Sequence, residues 1–330
     1  MSEEWAEGLR RRLRGELILS TSSAAAFKQA CRSWNLDLDK RPHTIVICRG
    51  ASDVVHAVNF ARQLKLPLTV AGGRMTGVCQ RNGAVCIDLS LMRGVMIEPE
   101  RRIARVQGGA LAADLVAVGA LYGLQTPVAM YMQTGLAALA TTGGVGFLSS
   151  LYGMTLDNVL SIELVTAEGK VVRCSATQEP ELFWGMRGAG PNFGVITALE
   201  LQLHPVNVVY GGIALFPDVP GRTRKLFELQ RDIVESRRGS RSMMVVILTG
   251  GGARSQEGNV SSVIFGNFGV SEEEGHKALA ELRAVGPSAD ALMPQPYATV
   301  NVSDDADGGA VFGLCFFPAP LFCHHNTITF

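Results

Sequence analysis

The segment Pro67-Leu68-Thr69-Val70-Ala71-Gly72-Gly73-Arg74-Met75 runs from an apolar, β-favouring stretch directly into two glycines. Pro67–Val70 reads as a strand, because β-branched side chains suit a pleated, buried surface. Upstream, Ser52 and Asp53 offer a helix cap and an acidic first turn, and Val54, Val55, Val58, Ala61 and Leu64 recur at helical spacing. Further back, Thr44–Cys48 (TIVIC) is another short buried strand. A strand–helix–strand unit thus empties into a glycine loop.

Downstream, Ala84–Leu89 and Arg102–Gln107 read as strands, the second alternating apolar and polar residues. Gly108-Gly109 introduces a helical stretch, Ala110–Leu121, ended by Gly123. A run rich in glycine, alanine and threonine occupies Thr134–Gly146. Val159–Thr166 and Lys170–Cys174 then form a hairpin across Ala167-Glu168-Gly169. A helix over Glu179–Met186 leads through Gly188-Ala189-Gly190-Pro191-Asn192-Phe193-Gly194 into a strand, Val195–Leu203. Beyond Val206 the pattern changes. Strands over Val208–Phe216, Met243–Thr249 and Val260–Phe265, with helices over Arg222–Glu235 and Glu272–Arg283, predict an antiparallel sheet covered by helices.

Composition removes several classes of function. The chain has 330 residues, 47% of them apolar, and its 30 basic and 30 acidic side chains cancel. The one obvious basic cluster, Arg10, Arg11, Arg12 and Arg14, follows Glu3, Glu4 and Glu7 and reads as a solvated helix face, so no nucleic-acid partner is expected. No uninterrupted apolar run approaches the ~18 residues of a membrane span. The N-terminus, MSEEWAEGLRRRLRGELIL, resembles neither a secretory signal nor a transit peptide. Cys31, Cys48, Cys79, Cys86, Cys174, Cys315 and Cys323 are scattered and mostly sit in apolar runs, which points to a reducing compartment, the cytoplasm.

Glycine loops at Gly72-Gly73, Gly143–Gly146 and Gly188–Gly194 adjoin predicted strands. Without a Cβ, such backbone approaches a ligand closely and aims successive N–H groups at one point, as a diphosphate requires. Each loop alone reads equally well as a turn. Two standard nucleotide motifs fail. Gly188–Gly194 has the wrong final spacing for G-x-G-x-x-G and precedes a strand, and no loop ends in Gly-Lys-Ser/Thr.

The combination resembles the flavoprotein oxidases with a vanillyl-alcohol-oxidase (PCMH-type) FAD domain, most like the berberine-bridge-enzyme-like branch. Arg41-Pro42 with the helix Ala51–Leu64 is similar to the start of that domain, and Leu68–Arg74 to its pyrophosphate loop. Gly143–Leu148 with Tyr152–Asn158 resembles a second flavin-contacting segment. Phe183–Gly188 through Asn192–Thr197 is the most specific match. The resemblance implies an α+β fold: a two-lobed PCMH-type FAD-binding domain over residues 41–206, then an incomplete substrate domain of antiparallel sheet plus helices over 207–303. A helical segment, 1–40, would precede them and an atypical tail, 304–330, would follow. FAD would lie extended between the lobes, its diphosphate on Ala71, Gly72, Gly73, Arg74, Met75, Thr134 and Gly135. Gly143, Gly146, Asp157, Gly194 and Ile196 would lie near the rest of it. Capping of a local turn is an equal reading for Asp157 and for Asn192.

Several departures refine these expectations. Arg74 stands where many relatives carry a histidine bonded to the flavin; a guanidinium is a poor nucleophile, so FAD is expected to be non-covalent, with Arg74 available to pair with the pyrophosphate. Tyr131 stands where bicovalent members carry cysteine. Ala137, Ala138 and Thr142 replace expected glycines and either crowd the flavin or pack. The chain stops at Phe330, short of the family's return to the FAD domain, which is read as a truncated isoform or a gene-model error rather than a redesigned domain. The adjacent Cys323, His324 and His325 lack a second cluster, so no metal is expected. The implied function is an FAD-dependent oxidoreductase taking a hydride from an alcohol, sugar or amine-type small molecule, with O2 as a candidate reoxidant and no catalytic base identifiable. The alternatives are a truncated flavin-binding isoform or pseudoenzyme without turnover, and a structural module without flavin.

Overall fold

The computed structural model describes residues 3–35, 37, 39–217, 219, 221–236, 248–249, 260–267, 272–291, 293–299, 302–304 and 310–312. The chain forms two compact units. Unit 1 comprises Met1–Gly119, Gln133–Gly144 and Met154–Leu203; unit 2 comprises Ala120–Met132, Val145–Gly153 and His204–Phe330.

Unit 1 contains two sheets. In the first, ordered β1-β2-β4-β3, β1 (Glu16–Leu19) is antiparallel to β2 (Thr44–Ile47). β2 and β3 (Leu68–Ala71) both run parallel to β4 (Val85–Asp88). All four residues of β4 are buried, as expected for a central parallel strand covered on both faces. Three helices belong to this part of the chain: α1 (Glu3–Arg10), α2 (Ala24–Ala30) and α3 (Ala51–Gln63). α3 buries Val54, Ala57, Val58, Phe60 and Ala61 as one stripe. The segment 1–40, expected to be helical, also supplies the edge strand β1. Ser52 is not the cap of α3; Gly50 holds that position, and Asp53 reaches out of the first turn to bond backbone amides.

The second sheet is antiparallel, ordered β5-β6-β10-β8-β9. It is built from β5 (Val95–Glu98), β6 (Ile103–Gln107), β8 (Val159–Val165), β9 (Val171–Ser175) and β10 (Val195–Gln202). β6 buries alternate residues, the pattern its sequence shows. Val46, Ile87 and Leu89 of the first sheet region and Val165 and Val195 of the second share one core with the stripe of α3. Helices α4 (Ala112–Ala120), α5 (Leu136–Thr142) and α7 (Pro180–Ala189) follow β6, the Thr134-Gly135 segment and β9.

Unit 2 contains the pair β7 (Leu124–Gln125) and β11 (His204–Pro205), the short helix α6 (Ser149–Tyr152) and a larger antiparallel sheet. There β12 (Val208–Pro217) pairs with β14 (Val260–Asn267) on one side and with β15 (Ala289–Asp290) and β16 (Met293–Pro296) on the other; β13 (Leu248–Thr249) extends it beyond β14. Helices α8 (Arg222–Ser236) and α9 (Glu272–Arg283) complete the expected mixture of antiparallel sheet and helices. Most of the expected strand Met243–Thr249 and the tail residues Cys315, Cys323, His324 and His325 lie outside the described residues. Among the described residues, no helix is long and apolar enough to cross a membrane, and no group of three His, Cys, Asp or Glu side chains could hold a metal ion.

The described cysteines, Cys31, Cys48, Cys79, Cys86 and Cys174, are free thiols. Burial pushes Cys48 strongly upward, Cys86 up to about 12 and Cys174 up to about 11, from an ordinary value of 9.0. The protonated thiol is therefore the form the fold holds. An unfolded chain releases these protons near the ordinary value while the folded chain keeps them, so stability should be unaffected below about pH 8 and fall as pH rises through 9 towards 12. Urea unfolding at stepped pH would show this, and mass-resolved alkylation of the native chain at pH 8 should leave Cys48, Cys86 and Cys174 unmodified.

Candidate functional site

Four backbone segments of unit 1 converge. β3 delivers the buried Ala71 opposite Asp88, and the chain then turns through Gly72-Gly73. A Cβ on Gly73 would run into the Gln133 carbonyl and the Gly135 amide nitrogen, and would stand 3.0 Å from Gly135 Cα. A Cβ on Gly135 would in turn lie 2.8 Å from the Gly73 nitrogen. The two predicted diphosphate segments therefore touch backbone to backbone, an approach only glycine permits. On its other side the Thr134-Gly135 segment is tied to residues 110–112: Ala112 N–H donates to the Thr134 carbonyl and Leu136 N–H to the Ala110 carbonyl, both at 2.9 Å. The strip continues through Gly108, whose N–H donates to the Thr197 carbonyl at 2.9 Å and whose missing Cβ makes room for the Ile196 carbonyl. Gly194, with φ at +156°, packs against the Val165 carbonyl. Residues 71–75, 108–111, 133–135 and 194–197 thus form one run of neighbouring main chain. Gly108-Gly109 was read from sequence only as the start of a helix; the available signal was a glycine pair directly after a strand, the same pattern as Gly72-Gly73.

Arg74 departs from expectation. Its φ of +55° lies in the left-handed region, unusual for a residue with a long side chain. Its guanidinium is committed within the first sheet region: Nη1 donates to the Ala30 carbonyl at 2.6 Å and the Arg32 carbonyl at 3.0 Å, while Nη2 forms an ion pair with Asp88 Oδ2. Asp88 is buried, and its other oxygen accepts the Ser90 N–H at 2.8 Å. The pairing of Arg74 with a pyrophosphate is accordingly corrected to pairing with Asp88, because a buried carboxylate left without a cation is costly.

The substituted second loop is a helix over much of its length. Ala137, Ala138 and Thr142 lie in α5, where Thr141 Oγ1 donates to the Ala137 carbonyl at 2.7 Å and Thr142 Oγ1 to the Ala138 carbonyl at 2.8 Å. Gly143 and Gly144, with φ of +139° and +89°, carry the chain out of that helix. Their carbonyls accept Leu156 N–H and Thr155 N–H, each at 2.9 Å. Gly146 belongs to unit 2, where its missing Cβ makes room for the Val128 carbonyl. Asp157 uses Oδ2 to accept the Met154 N–H at 2.8 Å, and Asn192 donates from Nδ2 to the Ala189 carbonyl at 3.0 Å. Both side chains therefore cap local turns.

The cradle offers main-chain surface and almost no side-chain charge: Arg74 is the one titratable residue in its four segments, and it is paired. Gln133, whose main-chain carbonyl lies where Gly73 and Gly135 meet, has a side-chain Oε1 that is buried without a hydrogen-bond partner among the described residues. An unmet buried acceptor costs about 1–3 kcal/mol unless a ligand or water supplies a donor. Convergent glycine main chain, in which a Cβ on Gly72 would meet no protein atom closer than 3.9 Å, together with an unmet polar atom, fits an extended, oxygen-rich cofactor bound largely through main chain.

Such a fold and cradle are similar to those of flavoproteins with a PCMH-type FAD-binding domain. Residues 42–175 match the FAD binding domain model. The chain is 38% identical over 211 residues to (R)-6-hydroxynicotine oxidase of Paenarthrobacter nicotinovorans, covering 63% of this chain and 46% of that protein. It is 33% identical over 203 residues to an FAD-linked oxidoreductase of Dictyostelium discoideum, covering 61% and 45%. The chain thus spans under half the length of these relatives. Among solved structures it resembles 6-hydroxy-D-nicotine oxidase from Arthrobacter nicotinovorans, with a TM-score of 0.79 and 31% identity over 87% of this chain and 62% of that one. It shares the fold of Physcomitrella patens BBE-like 1, with a TM-score of 0.72 at 20% identity over 88% and 62%.

Proposed function

We propose that this chain binds FAD non-covalently and serves an oxidoreductase that takes a hydride from a small amine, alcohol or sugar. The carrying observation is the main-chain cradle at Gly73, Gly108 and Gly135 inside a matched FAD binding domain, with Arg74 in its loop. Ala71–Met75, Thr134 and Gly135 would hold the diphosphate through backbone N–H groups, and Gly143, Gly194 and Ile196 would border the remainder. Gly146, Asp157 and Asn192 act indirectly, by fixing the turns around them. Bound flavin would supply the hydride acceptor. An amine substrate is favoured by the 38% identity to (R)-6-hydroxynicotine oxidase, and the free thiols of the described cysteines support a cytoplasmic setting. Flavin binding without turnover is the second reading, favoured by the absence of a free acid or base among the four cradle segments.

The test is the visible spectrum of the purified chain before and after acid precipitation. Flavin absorbance released to the supernatant is the expected result. Colour kept in the pellet would overturn non-covalent attachment, and no binding of added FAD would overturn the FAD reading. Bleaching of bound flavin by amines or sugars under anaerobic conditions then separates turnover from binding alone.

A further inference from the structure

We propose that Arg74 and Asp88 form a positioning latch that sets the main chain of the 71–75 loop for a diphosphate, without the guanidinium itself holding phosphate. The proposal rests on the FAD reading above. Arg74 occupies the left-handed region at φ +55°, which L residues avoid, so other contacts must hold it there. Four do so. The guanidinium fork joins the Ala30 carbonyl at the end of α2, the Arg32 carbonyl, and Asp88 at the end of β4. The Arg74 carbonyl accepts Trp34 N–H at 3.0 Å.

Asp88 is an anchor rather than a mobile partner. It is in register with Ala71 across β3 and β4, its carbonyl accepts Cys48 N–H at 2.8 Å, and its carboxylate accepts Ser90 N–H at 2.8 Å. The loop is therefore pinned at Ala71, at the Arg74 side chain and at the Gly73–Gly135 contact. With those points fixed, the peptide planes between them have little freedom, and their N–H groups are preorganised. Preorganised donors bind an anion without first being ordered. Lysine cannot replace arginine here, because an ammonium lacks the planar fork that reaches three acceptors at once.

The experiment titrates the full-length chain, wild type and the variants Arg74→Lys, Arg74→Ala and Asp88→Asn, with FAD, ADP and riboflavin by fluorescence. All titrations run below the melting temperature of the weakest variant. Wild type should bind FAD and ADP. In Arg74→Lys and Asp88→Asn, affinity for FAD and ADP should fall at least about tenfold, while affinity for riboflavin, which lacks the diphosphate, stays within about twofold. Arg74→Lys keeps a cation beside Asp88 and so guards against simple loss of folding. Unchanged FAD affinity in folded Asp88→Asn, with a loss confined to Arg74→Ala, would mean the guanidinium binds phosphate directly, and the latch would be overturned while the FAD reading stands. Equal losses for FAD and riboflavin would overturn it as general damage. Failure of the wild type to bind FAD would remove both.

Discussion

Gly73→Ala should lower FAD affinity by at least about tenfold and lower the melting temperature of unit 1 as well. The added methyl has nowhere to go: it meets the Gln133 carbonyl and the Gly135 amide and lies 3.0 Å from Gly135 Cα, and all of these are main-chain atoms that cannot rotate away. Overpacking of this kind costs roughly 1–3 kcal/mol, and here relief means prising apart the two segments proposed to share the diphosphate. Gly72→Ala is the matched control. Its Cβ finds no protein atom closer than 3.9 Å, so folding should be preserved with the melting temperature essentially unmoved. A fall in FAD affinity in that variant would then report contact with the ligand itself. Calorimetric or fluorescence titration beside thermal denaturation reads both quantities. Normal FAD affinity in folded Gly73→Ala would mean the 71–75 loop does not carry the cofactor.

Asp53→Ala should destabilise the protein by roughly 3 kcal/mol, because a fully buried carboxylate is serving two amides from different segments. Oδ2 accepts Arg49 N–H at 2.8 Å and Oδ1 accepts Arg14 N–H at 3.0 Å, which ties the chain before β1 to the start of α3. The packing leaves no space for repair: a Cβ on the neighbouring Gly15 would run into the Ile47 carbonyl and stand 3.3 Å from Asp53 Oδ2. Alanine strands both donors, whereas asparagine retains one acceptor and should lose about half as much. Thermal melts by circular dichroism measure the ranking, and limited proteolysis should cut first between α1 and β1. Equal stability of wild type and Asp53→Ala would show that this junction contributes nothing to the fold.

Much of the fold was legible because burial writes period and composition into the chain. The strand over Thr44–Ile47, the helix Ala51–Gln63, the strand Leu68–Ala71 and the hairpin of Val159–Val165 with Val171–Ser175 all fall within a residue or two of their predicted spans. Buried β-branched runs and a helical stripe leave few other options. Capping was less legible. Ser52 looked like the cap of α3, but the position belongs to Gly50, since several side chains near a helix start can satisfy the same amides.

The same division holds for the site. Sequence alone determined that glycines cluster beside strands, that Arg74 stands in the loop after β3, and that the order of these pieces resembles a PCMH-type FAD domain. Only the tertiary structure decided which glycines meet. Gly73 abuts Gly135 across a sequence gap and Gly108 abuts Ile196, whereas Gly146 packs within unit 2 against Val128. Tertiary structure also gave the Arg74 guanidinium to Asp88 and left Asp157 as a turn cap. The physical reason is range. Period and propensity are local and survive in one dimension, but the partner of a charge or the neighbour of a missing Cβ depends on how distant segments pack, and that is settled only when the chain closes on itself.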